Sequence, residues 1–434
     1  MSHHSPDNSD WLAADSRTVW HPFTPSPHLG PKRLITRAEG AYLFDEEGQR
    51  LLDGTSSWWC NIHGHCHPRL VKALSDQAGI LDQMLFAPHA HPTALELSEK
   101  LVKLVPGMSR VFYSDDGSTA VEAAIKMAWQ YWQRRGEDRT EFVSLGGAYH
   151  GDTLGAASLG GIEKYRASLS MLKTRTAAAP DCYRCPVGKS YPECDIACLE
   201  SLKKQLDENL AALVIEPLVM GAAGMVIYPR EYLSSAMRLA RDAGALVIVD
   251  EVFTGFGRTG SLFAIEGMTE MADIVCLSKG LTAGVLPMGA TLVTDQVYGE
   301  FCGPGRTFYH GHTFTANALG CAVALESLKI FEEDQVLKRN IPLIEILRNS
   351  LPRFRALARV GDARSLGMIW AVDCVDALTR QPLASEALWA VVGRLWERGL
   401  WVRPLHSVLY LVPPYCVTAE ELNESLDLIS EELK

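Results

Sequence analysis

The chain has 434 residues, 47% of them hydrophobic and 21% charged, which is ordinary for a folded globular protein and excludes the disordered and fibrous classes. Its 41 lysines and arginines stand against 52 aspartates and glutamates, a formal net charge of −11 that argues against a general binder of nucleic acid or of anionic membranes. This length predicts two or three domains with a large buried core.

No stretch of the sequence approaches the roughly 20 apolar residues that span a bilayer. Residues 1–10 are polar and lack the charged-then-apolar layout of a secretory signal. The eleven cysteines are scattered and odd in number, which favours free thiols in a reducing compartment. We therefore expect a cytoplasmic globular protein.

The first forty residues are predicted to be loop-like, because several prolines prevent any long helix. The runs Ala41–Phe44 and Arg50–Leu52 flank Asp45-Glu46-Glu47-Gly48, which is typical of a β-hairpin. We assign residues 1–70 to an N-terminal segment that contributes to a small domain and to the active site. The prolines in question are Pro22, Pro25, Pro27 and Pro31.

Between residues 71 and 330, short apolar runs alternate with longer amphipathic stretches, among them a predicted helix over Glu231–Ala243. Several runs are apolar throughout, as expected of strands that are covered on both faces. The alternation predicts a large α/β domain with a mostly parallel central sheet. The predicted strands are Arg110–Tyr113, Glu141–Ser144, Ala212–Ile215, Leu246–Val249, Ile274–Leu277 and Ala290–Val293.

After residue 330 the pattern changes, and residues 331–434 are predicted to form a smaller α+β domain. Apolar residues repeat at helical spacing from Leu388 to Trp396 and from Leu422 to Leu433. The strand-like runs Met368–Val372 and Val408–Val412 accompany these two helices.

Polar side chains follow three of the apolar runs. Glu216 follows Ala212–Ile215, Asp250 follows Leu246–Val249, and Lys279 comes just after Ile274–Leu277. Ligands of open parallel sheets bind outside the carboxyl ends of the strands. Position alone leaves Asp250 and Lys279 with two interpretations, a plain ion pair or a reactive pair, because lysine is rarely buried unless it is paired or reactive.

The stretch from Tyr113 to Thr119 leads from a strand into a helix predicted over Thr119–Arg135. Gly117 permits a tight turn, and the hydroxyls of Ser118 and Thr119 can cap the helix or bind an anion. The bare N–H groups of a helix N-terminus favour a phosphate. Most such hydroxyls only cap, so both interpretations stay open here.

Two further patterns carry a weaker signal. Gly255–Gly260 matches G-x-G-x-x-G, but it does not directly follow a strand and no long helix opens behind it, so we reject binding of NAD. His63, His65 and His67 resemble a metal-binding tract, but they lie in a Gly/Pro turn, where shaping the turn is a commoner role for histidine than binding a metal.

Four cysteines have the spacing C-x2-C-x8-C-x3-C, and four thiolates can hold zinc. The segment bears proline and glycine, and its second pair has the looser spacing. We interpret it as a thiol-rich loop without metal, and a structural metal site is the alternative left open. The four are Cys182, Cys185, Cys194 and Cys198.

Three segments in order resemble the signature of class III pyridoxal-phosphate aminotransferases, and the likeness extends from Trp20 to Tyr415. The resemblance implies the type I aminotransferase fold, pyridoxal 5'-phosphate as cofactor and small-molecule substrates. It also implies a homodimer with shared active sites. The segments are Asp250-Glu251-Val252, Gly255–Gly260 and Ser278-Lys279-Gly280.

By this resemblance, Lys279 would bond covalently to the cofactor aldehyde and afterwards act as general acid and base. Asp250 would pair with the pyridine nitrogen and keep it protonated. Gly117 and Ser118 would hold the phosphate.

Three further roles follow from the same likeness. Tyr149 would lie over the ring, although an aromatic residue in a Gly-flanked turn can also be a packing residue. Glu216 would support the site as a nearby acid. Thr313 would reach the phosphate of the neighbouring subunit's cofactor.

The likeness also implies a substrate pocket. Arg403 would clamp a substrate carboxylate as a bidentate fork. Trp58 and Trp59 would line an aliphatic chain; aromatic pairs more often belong to the plain core, but two adjacent residues of a strand cannot both face inward. Arg258 is either a second substrate contact or a structural residue. Phe23 and Tyr410 complete the candidates.

The sequence departs from class members that use S-adenosylmethionine as amino donor. Those members usually have tyrosine in place of Phe23, proline in place of His312 and glutamine in place of Met220. These departures leave lysine as an alternative donor, and a broader ω-amino acid or diamine transaminase as an alternative enzyme. A non-catalytic regulatory protein is disfavoured, because Lys279 and Asp250 are both present.

Overall fold

The computed structural model of the chain describes residues 8–24, 33–166 and 171–434. Among them no helix is both long and apolar enough to cross a membrane. The strands are β1 (Ile35–Glu39), β2 (Tyr42–Asp45), β3 (Arg50–Asp53), β4 (Arg110–Ser114), β5 (Glu141–Leu145), β6 (Thr174–Ala177), β7 (Leu210–Ile215), β8 (Val219–Met220), β9 (Val226–Ile227), β10 (Leu246–Asp250), β11 (Ile274–Leu277), β12 (Gly289–Val293), β13 (Val360–Leu366), β14 (Ile369–Cys374), β15 (Leu400–Trp401) and β16 (Val408–Leu411).

The helices range from single turns to twenty residues. They are α1 (Asn8–Thr18), α2 (Ser56–Trp59), α3 (Pro68–Ala78), α4 (Pro92–Leu104), α5 (Gly117–Arg134), α6 (Leu154–Leu159), α7 (Glu163–Arg166), α8 (Leu199–Lys203), α9 (Arg230–Asp242), α10 (Asp295–Gly299), α11 (Ala318–Glu333), α12 (Val336–Arg355), α13 (Ser385–Glu397) and α14 (Ala419–Glu432).

A seven-stranded sheet in the order β4-β12-β11-β10-β7-β5-β6 forms the centre of the molecule. Its strands pair in parallel except β12, which is antiparallel to β11 and β4. The six apolar runs predicted as strands all lie in this sheet, so that prediction is confirmed. The sequence did not predict β6, because Thr174–Ala177 is short and polar and pairs at the sheet edge.

Apolar side chains cover both faces of the sheet. In β7 and β10, alternate residues join two separate hydrophobic clusters: Val214 and Ile248 pack with α5, whereas Leu213 and Val247 pack with α9. A strand buried on both faces has no polar alternation, which explains the uniformly apolar runs. The α/β class with a mostly parallel sheet is therefore confirmed.

Two smaller sheets accompany the central one. In the first, β14 lies between β13 and β16, and all its pairings are antiparallel. The second has the order β1-β2-β3-β15, in which β2 and β3 form the predicted hairpin. Because β15 pairs in parallel with β3, one sheet joins strands from the two ends of the chain.

The predicted C-terminal helices and strands are present as α13, α14, β14 and β16. The predicted division at residues 330 and 331 falls inside α11, which continues to Glu333. The division into three parts stays a proposal.

The N-terminal region differs from the loop predicted for it. An eleven-residue helix, α1, spans Asn8–Thr18. Pro22 is the first proline among the described residues of this region, so no proline interrupts a helix over Asn8–Thr18. Pro25, Pro27 and Pro31 lie outside the described residues.

Candidate active site

A cavity of about 1490 Å³ lies where β10 and β11 end, and the C-terminal strand β16 lines it from another side. It brings together most of the residues that the sequence analysis singled out, although they come from distant parts of the chain. They are Phe23, Trp58, Trp59, Gly117, Ser118, Tyr149, Glu216, Asp250, Lys279, Arg403 and Tyr410.

Lys279 follows β11 after one intervening residue, Ser278, and opens a short 3-10 turn with φ of 45°. Its Nζ lies 5.1 Å from the centre of the Trp59 ring. Burial lowers the pKa of Lys279, and the charges of Asp250 and Glu216 oppose that shift only in part. The environment thus favours the neutral amine, the form that acts as a nucleophile or a base.

Asp250 ends β10 and is 4% exposed. His150 Nδ1 lies 2.7 Å from Asp250 Oδ2, and the N–H of Val252 donates to Asp250 Oδ1 at 3.0 Å. Burial works to lower the pKa of His150, but the hydrogen bond and charge of Asp250 outweigh burial and raise it. Sequence reasoning missed His150, and the available signal was its place beside Tyr149 in one turn.

Gly117 and Ser118 form the first turn of α5. The helix is capped by Asp116, which accepts the N–H of Thr119 at 2.9 Å, so Ser118 is not the cap. The Ser118 hydroxyl instead pairs with Thr153 Oγ1 at 2.7 Å and accepts the N–H of Thr153 at 3.0 Å. Because a separate carboxylate caps the helix, the Ser118 hydroxyl does not cap it and lies beside the cavity with Thr153 as its partner.

The Gly-flanked turn that carries Tyr149 is tied to Glu216. The N–H groups of Tyr149 and Gly221 donate to the two carboxylate oxygens of Glu216 at 3.1 and 3.0 Å. Burial raises the pKa of Glu216 to about 7. The Tyr149 hydroxyl donates to Asp152 at 2.8 Å, which fixes the ring in the cavity wall.

Trp58 and Trp59 both line the cavity, although they are adjacent. The alternation of side chains along a strand does not apply to them, because Ser57 and Trp59 have positive φ of 60° and 70° in a distorted turn. The Trp59 indole N–H donates to the Tyr410 hydroxyl at 3.2 Å. The Arg403 guanidinium lies 4.7 Å from the centre of the Trp58 ring.

Phe23 packs edge-on against Trp58 and Tyr165, with ring centres 5.5 and 5.4 Å apart. It therefore closes the same aromatic wall that Arg403 borders.

Two candidate residues do not line this cavity. Arg258 is fully buried, and its guanidinium donates to the carbonyls of Pro413 and Trp59 at 2.7 and 3.4 Å. This placement favours the structural interpretation over the substrate contact. Gln83 donates to the carbonyl of Thr313 at 2.8 Å, and Nδ1 of the preceding residue, His312, lies 2.9 Å from Asp115 Oδ2, just before α5.

Several lining residues were not singled out from the sequence. They come from segments with no chemical motif, so only their position in the fold identifies them. They are Cys60, Lys164, Arg184, Trp389 and His406.

The residues fit pyridoxal phosphate on three structural observations. The Lys279 amine and the Asp250 carboxylate line the same cavity. His150 Nε2 is buried and has no partner among the described residues, although its other nitrogen is bonded to Asp250. A helix N-terminus with a hydroxyl opens into the same cavity and suits a phosphate.

Comparisons with known proteins agree with this arrangement. The sequence profile of the family aminotransferase class-III matches residues 25–433. The chain is 43% identical to the adenosylmethionine-8-amino-7-oxononanoate aminotransferase of Geobacter sulfurreducens, over 96% of this chain and 95% of that protein. The crystal structure of the Methanocaldococcus jannaschii protein of the same name superposes with a TM-score of 0.92 at 36% identity, covering 98% of this chain and 99% of that one.

An omega transaminase from Pseudomonas jessenii superposes with a TM-score of 0.91 at 30% identity, over 97% of each chain. The chain therefore belongs to the class III aminotransferases and is an enzyme that uses pyridoxal 5'-phosphate.

Proposed function

We propose that this enzyme converts 8-amino-7-oxononanoate into 7,8-diaminononanoate in biotin biosynthesis, with S-adenosylmethionine or lysine as amino donor. The name of the Geobacter sulfurreducens relative supports this substrate at 43% identity. Four sequence blocks typical of diaminopelargonate synthases also support it: Trp20–Thr24, Ser56–Trp59, Lys126–Trp132, and Arg403-Pro404 with Tyr410 and Pro413–Tyr415.

One observation carries the proposal. The Lys279 amine and the Arg403 guanidinium stand against consecutive tryptophans, with Lys279 Nζ 5.1 Å from the centre of the Trp59 ring and Arg403 4.7 Å from the centre of the Trp58 ring. An amine at one end, an aromatic wall between and a guanidinium at the other end match a substrate with a reactive carbonyl, an aliphatic chain and a carboxylate.

Bound pyridoxal phosphate supplies an aldehyde that condenses with amines and a ring that withdraws electrons from the substrate carbon. Lys279 would hold it covalently, Asp250 would face its ring nitrogen, and Gly117 and Ser118 would receive its phosphate. Once free, the neutral Lys279 amine moves a proton to and from the substrate carbon at its Nζ. Burial lowers the pKa of Lys279, which favours that basic form.

The remaining residues bind and orient the substrate. Arg403 has no carboxylate partner in the described chain, so its fork is free to receive one from the substrate. Trp58, Trp59 and Tyr410 exclude water from the aliphatic chain. The hydrogen bond from Trp59 to Tyr410 holds this wall in place.

We also infer a homodimer in which Thr313 completes the partner's phosphate site. Thr313 does not line the cavity of its own chain. Large apolar side chains nearby are exposed in the single chain, with Tyr309 at 80% and Phe314 at 58%. Apolar surface of this kind marks a protein interface. The eleven free cysteines support a reducing compartment, the cytoplasm.

The proposal names two alternative amino donors, S-adenosylmethionine and lysine. Phe23 stands where users of S-adenosylmethionine usually have tyrosine, and a phenyl ring makes no hydrogen bond. Tyr165, whose ring centre lies 5.4 Å from that of Phe23, brings a hydroxyl to the same wall.

The test mixes the purified enzyme with each donor separately and follows conversion of the bound cofactor to its amino form. 8-Amino-7-oxononanoate is then added, and 7,8-diaminononanoate is measured by mass spectrometry. The proposal predicts product with S-adenosylmethionine or with lysine. A response to neither, together with turnover of β-alanine or a simple diamine, would contradict it and favour a general ω-transaminase.

A further inference from the structure

The loop between β6 and α8 brings all four of its cysteines to one small cavity outside the active site. Cys182, Cys185, Cys194 and Cys198 all line it. The cavity volume is about 10 Å³, which is room for one water-sized sphere. Four sulfurs that share so small a space are candidates for binding a single ion.

The surroundings of the sulfurs suit a soft cation. All four cysteines are free, and the N–H of Lys189 donates to Cys185 Sγ at 3.4 Å.

The described conformation is not yet a ligand cage. In the parts of the chain that the structure describes, no three histidine, cysteine, aspartate or glutamate side chains stand around a common metal position. The four cysteines already line one cavity, and rotation of their side chains is the change that a four-sulfur cage requires.

The loop also reaches the C-terminal strands and the active site. Arg184 forms an ion pair with Asp373, a fully buried carboxylate of β14, and both residues line the catalytic cavity. Tyr183 packs against Gly361 of β13, where an added Cβ would lie 2.1 Å from the Tyr183 hydroxyl. The two residues that make these contacts lie between Cys182 and Cys185, so the shape of the cysteine loop determines their positions.

We propose that Cys182, Cys185, Cys194 and Cys198 bind one zinc-class divalent cation, which fixes the loop that presents Tyr183 and Arg184. Four thiolates in a C-x2-C and C-x3-C arrangement are a tetrahedral set for zinc. On binding, the four thiols release four protons to solvent and the ion loses its water ligands, so the site carries a net charge of −2.

The test begins with the full-length holoenzyme, purified without chelators and analysed for metal. About one zinc per chain is expected. A mercurial that binds thiols should release that zinc, detected with a colorimetric zinc indicator. Hydrogen exchange should then rise in residues 181–199 and in β13 and β14, because the loop loses its anchor.

Cys185→Ser should lose the zinc. Cys302→Ser, which changes an exposed cysteine outside the loop, should keep it. If Cys185→Ser fails to fold, the metal content of the unaltered enzyme still decides the question.

Three results would overturn the proposal. The first is less than a tenth of a zinc per chain after growth and purification with added zinc. The second is an intact mass showing disulfides within the loop. The third is equal zinc content in Cys185→Ser and the unaltered enzyme.

Discussion

Arg403 carries a positive charge that no carboxylate neutralises within the described residues, and its only hydrogen bond there is a long one, 3.4 Å, to the carbonyl of Phe23. A guanidinium left free beside an aromatic wall is positioned to receive an anionic ligand. It contrasts with Arg258, whose two terminal guanidinium nitrogens donate to backbone carbonyls. The two arginines looked alike as candidates in the sequence, and only the fold separates them.

Replacing Arg403 tests its role as the carboxylate clamp. Arg403→Met should raise KM for the oxo acid by about tenfold to a hundredfold, the range of a charged hydrogen bond worth about 1.5–3 kcal/mol. Arg403→Lys should raise it less, because charge remains but the fork is lost. Steady-state kinetics with the acceptor measures both. An unchanged KM for the acceptor would show that another residue binds it.

Glu251 is a buried acid that we assign no chemical role. Its carboxylate accepts hydrogen bonds from the Thr254 hydroxyl at 2.5 Å and from the N–H of Ile265 at 3.0 Å. Burial raises its pKa from the ordinary 4.5 to about 7. The folded enzyme therefore keeps a proton on Glu251 at pH values where the unfolded chain releases it. The enzyme loses stability as the pH rises from about 4.5 to about 7.

Glu251→Gln should remove that pH dependence. The free energy of unfolding that the unaltered enzyme loses in this way is at most about 3 kcal/mol, because the pKa shift is about two and a half units. The unfolding temperature of the variant should therefore rise relative to that of the unaltered enzyme between about pH 5 and about pH 8. Differential scanning fluorimetry across this range measures the difference, and Glu216 contributes equally to both proteins. A difference that is constant with pH would refute the assignment.

At the scale of elements, the start of α5 and the turn around His150 are in close contact. A Cβ added to Gly151 would lie 2.3 Å from Ser118 Oγ, and the φ of Gly151 is 122°. The close approach allows the Ser118 hydroxyl and Thr153 to pair at the candidate phosphate site. Glycine at position 151 thus permits both the positive φ of the turn and the close approach of Ser118.

Gly151→Ala should displace Ser118 and weaken retention of pyridoxal phosphate. Gly136→Ala is the matched control, because its φ of 78° is also left-handed but an added Cβ meets nothing within 4 Å. Both variants should lose stability through strain, by roughly 1 kcal/mol for the control. Only the first should release cofactor on dialysis, measured by absorbance and fluorescence. Equal retention in the two would mean that the close approach is unimportant to the site.

The sequence could predict the elements whose formation has one local physical cause. Apolar runs covered on both faces gave the strands β4, β5, β7, β10, β11 and β12, and the residues after them led to Asp250, Lys279 and Glu216. The distorted turn at Ser56–Trp59 has no such local signal, since its positive φ values depend on contacts with distant strands. His150 was missed for a similar reason, because its partner Asp250 is 100 residues away.

At the scale of the whole molecule, the cavity is assembled from the two ends of the chain and its middle. Phe23 and Trp58 come from the N-terminal region, Lys279 from the central sheet and Arg403 from the C-terminal region. Pairing of β3 with β15 joins the first and last of these regions in one sheet. A site of this kind depends on the entire fold, and the proposed dimer extends that dependence to a second chain.

Mixed dimers test whether the site is shared between chains. Lys279→Ala and Thr313→Ala enzymes should each be impaired at both sites. A dimer with one chain of each kind should regain one intact site, because Lys279 of one chain then meets Thr313 of the other. Differently tagged, co-purified hybrids allow cofactor content and activity to be compared with the two parents. Hybrids no better than the parents would place Thr313 in its own chain's site.

The central claim is that Lys279 holds the cofactor in the cavity that also contains Asp250. Reduction of the purified holoenzyme with borohydride, followed by digestion and mass spectrometry, identifies the lysine that carries it. The account predicts the cofactor's mass on the peptide that contains Lys279, and no labelling in Lys279→Ala. The same mass on any other lysine of the unaltered enzyme would contradict it.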